Sequence, residues 1–298
     1  RPTMKKFFLP LLRQLSLGLT ALVFSLSLPQ TVQAQSVTDA QDSCEVIVPK
    51  EYTDFMRAAA RRVPSHFDNP SATSVIRNRG KVYTFRLATC ILPEYVQTGF
   101  GNGAATLDKE AVRAEVFKWW DELEAELNSY FTPEVGIRFK IVRDERLILY
   151  TLNDHNLSLD PYANNNTRLL RSKEIVDACL GGSDGYDLGI LIGDPGSGRA
   201  GVAQLGSAGN PNQKGSAWAV RANVTIAHEI GHSFGAEHTH IWADAICTEP
   251  GRGTSIMSYG SPRDFFSLPS INQMRNTLNN LNYYKDADRT QLEQVISN

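Results

Sequence analysis

Residues 228–238 read His-Glu-Ile-Gly-His-Ser-Phe-Gly-Ala-Glu-His, a run whose spacing can do chemistry. On a helix, His228 and His232 stand one turn apart, so their imidazoles leave the same face. That is the spacing two imidazoles need to share one zinc ion, at about 2.0–2.1 Å each. Glu229 lies beside the first of them, where a carboxylate can take a proton from water at the metal. Gly235 allows a positive φ that ends the helix and turns the chain. His238 can then reach the same ion from another direction. Three protein ligands leave a fourth position open, which marks a catalytic rather than a structural zinc site. Four of the six histidines fall between His228 and His240, so the residue type is concentrated where the spacing uses it.

This stretch resembles the extended zinc signature of the metzincin metalloproteases, H-E-x-x-H-x-x-G-x-x-H. Ser255-Ile256-Met257-Ser258-Tyr259 resembles the methionine turn that the family carries downstream. The residue after the third histidine is Thr239, where the reprolysin and ADAM branch usually has Asp. The wider pattern is similar to bacterial reprolysin-like peptidases. Lys81-Val-Tyr-Thr-Phe-Arg-Leu-Ala resembles their first strand, Asp160-Pro-Tyr-Ala-Asn-Asn-Asn a loop, and Gly253-Thr-Ser-Ile-Met-Ser-Tyr their Met-turn. The resemblance runs over residues 81–281.

It implies an α/β fold of metzincin type: a twisted, mostly parallel sheet with two packing helices, a zinc helix and a small C-terminal subdomain, with the cleft between the two parts. It also implies a metal site of His228, His232 and His238 holding Zn2+, with Glu229 as the catalytic base. Met257 would be a packing floor beneath the ion, and Tyr259 a candidate zinc ligand or oxyanion partner. Pro262–Phe266 would line the specificity pocket. The strand before the zinc helix would lie at an open sheet edge that pairs with an extended substrate. The expected function is a zinc-dependent metalloendopeptidase acting on protein or peptide. The competing reading is a zinc-binding adhesion or interaction module without proteolysis, and the presence of Glu229 counts against it.

Length and composition agree with a globular chain that buries a core: 298 residues, 42% hydrophobic and 21% charged. Residues 1–34 hold Arg1, Lys5, Lys6 and Arg13 and no acid, so the rest keeps 26 of the 30 basic residues against 32 acidic ones. A net acidic remainder without a basic stripe points away from nucleic acid. From Met4 the chain reads as a secretory signal peptide. Lys5, Lys6 and Arg13 precede or flank an uncharged run, Leu15–Leu28, and Val32-Gln33-Ala34 offers a cleavage site before Gln35. The uncharged run is shorter than the roughly 20 apolar residues a bilayer span needs. The expectation is therefore a secreted protein, extracellular or periplasmic, without a stable membrane anchor.

The expected organisation is a signal peptide at 1–34 (with 1–3 upstream), a pro-segment or N-terminal extension at 35–80, the zinc peptidase domain at 81–284 and a tail at 285–298. Cys44, Cys90, Cys179 and Cys247 are an even set, and in an oxidising compartment they predict two disulfides with three possible pairings. Cys44 has a second reading, as an upstream thiolate that closes the open zinc position. Arg61-Arg62 and Arg77-Asn-Arg79 are candidate processing sites. Residues 153–167, rich in Asn and Asp, are a turn region in which a calcium site is conceivable.

The elements that must position the site follow from periodicity. Lys81–Leu87, Gly136–Val142, Tyr186–Ile192 and Gly198–Leu205 read as strands. Val112, Val116, Trp119, Leu123, Leu127 and Tyr130 predict a long amphipathic helix capped by Thr106 or Asp108 and followed by Pro133. Arg168–Leu180 predicts a second helix, and the zinc helix is expected from near Arg221. Gly206–Gly215 reads as a mobile loop. Ile271, Met274, Leu278 and Leu281 mark a C-terminal helix.

Overall fold

The computed structural model describes residues 44–47, 81–103, 106–154, 165–194, 198–215, 217–240, 245–249, 252–280 and 292–294. The signal-peptide segment, His66, both paired-arginine sites, most of the Asn/Asp-rich loop and Leu281 lie outside them.

The fold is mixed α/β with a mostly parallel sheet, as expected of a metzincin-type catalytic domain. Strand β1 is Cys44–Ile47, β2 Lys81–Ile91, β3 Ile137–Ile141, β4 Leu188–Ile192, β5 Gly201–Gln204 and β6 Ala217–Ala219. Their spatial order is β1-β5-β6-β4-β2-β3, parallel throughout except for β5 against β6. Every residue of β4 is buried, the pattern of a strand covered on both faces. Helix α1 (Lys109–Glu134) packs against β3, and α2 (Asn165–Leu180) against β4.

Helix α1 begins where the Asp108 carboxylate accepts from the backbone of Glu110 at 3.0 Å and Ala111 at 3.1 Å. Its buried stripe is Val112, Val116, Trp119, Trp120, Leu123, Leu127 and Phe131, so both tryptophans are core. Phe131 replaces the expected Tyr130. Pro133 lies inside the last turn rather than after it. Near a helix end its missing N–H costs a bond where the ladder is already ending.

The C-terminal part begins with the zinc helix α3 (Asn223–Ser233). Two short parallel strands follow, β7 (His238–His240) and β8 (Ala245–Glu249), and then α4 (Leu268–Asn280). Strand β9 (Leu292–Gln294) returns to pair antiparallel with Lys81–Tyr83 of β2. No helix among the described residues is long and apolar enough to cross a membrane.

Two expectations need correction. The edge of β5 is not open, because β1 pairs along it in parallel, Cys44 opposite Gly201 through Ile47 opposite Gln204. The loop 206–215 is pinned rather than loose. Lys214 is 1% exposed, and its ammonium donates to the carbonyl oxygens of Ser183 and Tyr186. At the other end of the loop, the Gly206 and Ala208 amides donate to the carbonyls of His232 (2.9 Å) and Ser233 (2.8 Å). Those carbonyls end α3, so the loop helps to close the zinc helix.

Candidate metal centre

Helix α3 carries His228 and His232 on one face, and all residues from Thr225 to Ser233 are buried. The helix stops at Phe234, and Gly235 takes φ 91°. The Ala236 amide then donates to the Gly231 carbonyl (2.9 Å) and the Gly235 amide to that of His232 (2.8 Å). This pair of bonds is the Schellman closure, and it needs the positive φ that glycine supplies without strain. It turns the chain so that β7 brings His238 back onto the helix face.

The three imidazoles meet. Nε2 of His228 lies 3.2 Å from Nε2 of His238, and Nε2 of His232 lies 3.1 Å from each of the other two. Nδ1 of His228 donates to the Ile256 carbonyl at 2.6 Å, and Nδ1 of His232 to the Ala236 carbonyl at 2.6 Å. Those bonds fix the tautomer, leaving each Nε2 as a lone pair aimed at the centre of the triangle. Burial, with the neighbouring imidazoles, holds His228 and His238 well below the usual histidine range, and burial brings His232 down to about 4. All three are therefore neutral near pH 7, the form that binds metal. Two nitrogens on one tetrahedral zinc stand about 3.3 Å apart, given bonds of about 2.0–2.1 Å. The observed triangle fits that requirement, and His228, His232 and His238 are positioned to bind one metal ion.

Glu229 is fully buried and turns to the side of α3 that faces β5. A Cβ at Gly201 would collide with its carboxylate, so glycine at 201 is what admits Glu229 there. Beneath the ligands, a Cβ at Gly231 would collide with the sulfur of Met257, which is fully buried. Met257 is thus a floor packed on the zinc helix, as the resemblance implies. The Tyr259 hydroxyl lies 3.3 Å from Nε2 of His238, and its ring stacks on His240 with centroids 4.2 Å apart.

The segment after the Met-turn is divided between surface and core. Pro262 and Asp264 are exposed, whereas Phe266 is fully buried against Phe131 of α1, with ring centroids 4.7 Å apart. The Phe266 amide donates to Glu134 Oε2 at 2.7 Å. Burial is the main cause that pushes the Glu134 carboxyl up to about 7, with Asp264 adding to it and the Phe266 amide opposing it. The folded chain thus holds this proton more tightly than the unfolded chain. Stability is therefore full below pH 4.5 and is lost as pH rises through about 7. Glu134→Gln is expected to raise stability at pH 8, by on the order of 1–2 kcal/mol after allowance for partial exposure, and to leave it unchanged at pH 4. Urea unfolding at the two pH values checks this, and equal shifts at both would refute it.

Cys90 and Cys179 are buried thiols with their Sγ atoms 3.9 Å apart, in contact but not bonded. The side chains of Cys44 and Cys247 lie outside the described residues.

The structure brings together the three histidines expected from the spacing and places Glu229 beside them, whereas Gly201, Gly231 and Glu249 were not expected at the site. The glycines carry no local signal, since their need comes from contacts across the fold, Gly201 with Glu229 and Gly231 with Met257. Glu249 accepts from the Met-turn backbone at Thr254 (2.6 Å) and Ser255 (3.1 Å), from a loop without periodicity.

Residues 123–239 match metallo-peptidase family M12B, reprolysin-like. No curated protein matches the chain. Among solved structures, a chain described as "Structure of a chaperone-substrate complex" is 16% identical at a TM-score of 0.39. That match covers 67% of this chain, which spans about a third (34%) of the other, and a likeness of this size carries no argument.

Proposed function

Taking as premise that the chain is a reprolysin-like metzincin over residues 123–239, and so a zinc metallopeptidase, we propose that it is an exported endopeptidase that hydrolyses peptide bonds within proteins. The observation that carries this reading is the triangle of Nε2 atoms at 3.1–3.2 Å, with two of the three rings locked by Nδ1 bonds to carbonyls. His228, His232 and His238 would hold zinc through Nε2. When bound, zinc supplies Lewis acidity to a water molecule and to the substrate carbonyl. Glu229 would take the proton of the attacking water on its carboxylate and pass it to the leaving amine. Tyr259, with its hydroxyl beside His238, would donate a hydrogen bond to the carbonyl oxygen as it gains charge. Strand β5 would hold an extended substrate through main-chain bonds, beside Glu229 at Gly201.

Export is supported by the charged start, the Leu15–Leu28 run and Val32-Gln33-Ala34. An oxidising destination is where the adjacent Cys90 and Cys179 thiols would become a disulfide. The reading of residues 35–80 as a pro-segment is supported by β1, which takes the β5 edge that a substrate strand would need.

Val46→Pro tests the function and the latency together. Proline removes a backbone donor from β1 and is disfavoured in a paired strand. The full-length variant is expected to cleave peptides from an unbiased library at least about 10-fold faster than the parent, as an otherwise occluded edge opens. A chelator should abolish cleavage in both. Equal rates would remove the latency reading, and cleavage that survives the chelator would remove the metallopeptidase reading. Cys44→Ser separates strand from thiol: activation by that change alone would favour the thiolate latch.

A further inference from the structure

The strongest unassigned group near the metal centre is a carboxylate that arrives from outside the zinc motif. Glu249, the last residue of β8, is 1% exposed. Its Oε2 accepts from the backbone amides of Thr254 at 2.6 Å and Ser255 at 3.1 Å, and its Oε1 accepts from the Ser255 hydroxyl. A buried carboxylate with three donors is stabilised in place, whereas one left bare would be strongly destabilising. The loop is shaped to receive it. Gly253 takes φ 68°, and a Cβ there would stand 2.9 Å from Glu249 Oε2.

The loop that Glu249 clamps holds the metal ligands. Ile256, the residue after Ser255, offers its carbonyl to Nδ1 of His228 at 2.6 Å. Met257 offers its own carbonyl to the amide of Thr239 at 3.1 Å, which ties the loop to the strand that carries His238. Thr239 stands where the resemblance gives an aspartate. Its hydroxyl, which has no charge, lies 3.2 Å from the Ser255 hydroxyl and shares that group with Glu249.

We propose that Glu249 is a positioning residue for the zinc site, fixing residues 254–257 so that the Ile256 carbonyl orients His228 and the Met257 carbonyl orients the His238 strand. It supplies from β8 the acceptor oxygens that hold this loop in place. The proposal rests on the zinc-site reading, not on peptide cleavage.

The test uses the full chain loaded with zinc, and separately with cobalt as a spectroscopic probe. Partners behind metal ligands typically contribute about 10–100-fold to metal affinity. Glu249→Ala is accordingly expected to release zinc to a competing chelator about 10–100-fold faster and to change the visible cobalt spectrum. Glu249→Gln retains a carbonyl oxygen for the two amides and should stay within about 3-fold of the parent, with the parental spectrum. A merely structural role would lower the thermal midpoint of Glu249→Ala while leaving zinc release and the cobalt spectrum at parental values, and that result overturns the proposal. If Glu249→Ala does not fold, Glu249→Asp, whose shorter stem withdraws the carboxylate from the loop, replaces it. Parental zinc release and spectrum in Glu249→Asp likewise overturn the proposal. A parent that binds zinc but cleaves no peptide would defeat the peptidase reading and leave this one standing.

Discussion

Glu229→Gln is expected to lower kcat by about 10²–10⁴, the usual contribution of a positioned general base. The amide keeps the size of the carboxylate and fits the same space against Gly201, so packing should be retained. It cannot accept the proton of the attacking water. Zinc content should match the parent, because the three imidazoles are positioned to bind the ion without Glu229. KM should stay near the parental value, since the group acts on water rather than on substrate binding. Steady-state kinetics with metal analysis on the same sample measures all three quantities. Parental kcat in a zinc-loaded variant would exclude Glu229 as the base.

His238→Ala is expected to weaken zinc binding by more than about 100-fold, beyond the range typical for a group behind a ligand. The reason is geometric. His228 and His232 lie on one helix and supply one edge of the triangle, and the third corner comes only from β7 after the Gly235 turn. The variant should also lose peptide cleavage, with little change in secondary structure. Competition against a chromophoric chelator measures the affinity. Retained affinity would show that another group completes the shell, with Tyr259, 3.3 Å from His238, the first to examine and His240 the next.

The parts of this architecture that were legible in the sequence are those set by local spacing. His228 and His232 are one helical turn apart, Gly235 marks its own turn, and Asp108 announces the start of α1. The parts that were not legible depend on partners distant in the chain. Strand β6 has three residues, Ala217–Ala219, and exists because β4 and β5 flank it. Strands β1, of four residues, and β9, of three, pair with β5 and β2 and leave no alternating pattern to read. Lys214 looks like loop surface until its ammonium is seen among the carbonyls of Ser183 and Tyr186. The same holds for Glu249. Nothing around it predicts burial, and only the folded Met-turn supplies the donors that make a charge tolerable there.

If one zinc ion held by His228, His232 and His238 makes this chain a peptidase, activity must track that ion. The Val46→Pro protein can be stripped of metal and zinc titrated back while cleavage of an internally quenched peptide is followed. No cleavage is expected in the stripped protein, with a linear return of activity that reaches its plateau at one zinc per chain. Activity in the stripped protein, or a zinc-saturated protein that cleaves no peptide, would contradict it.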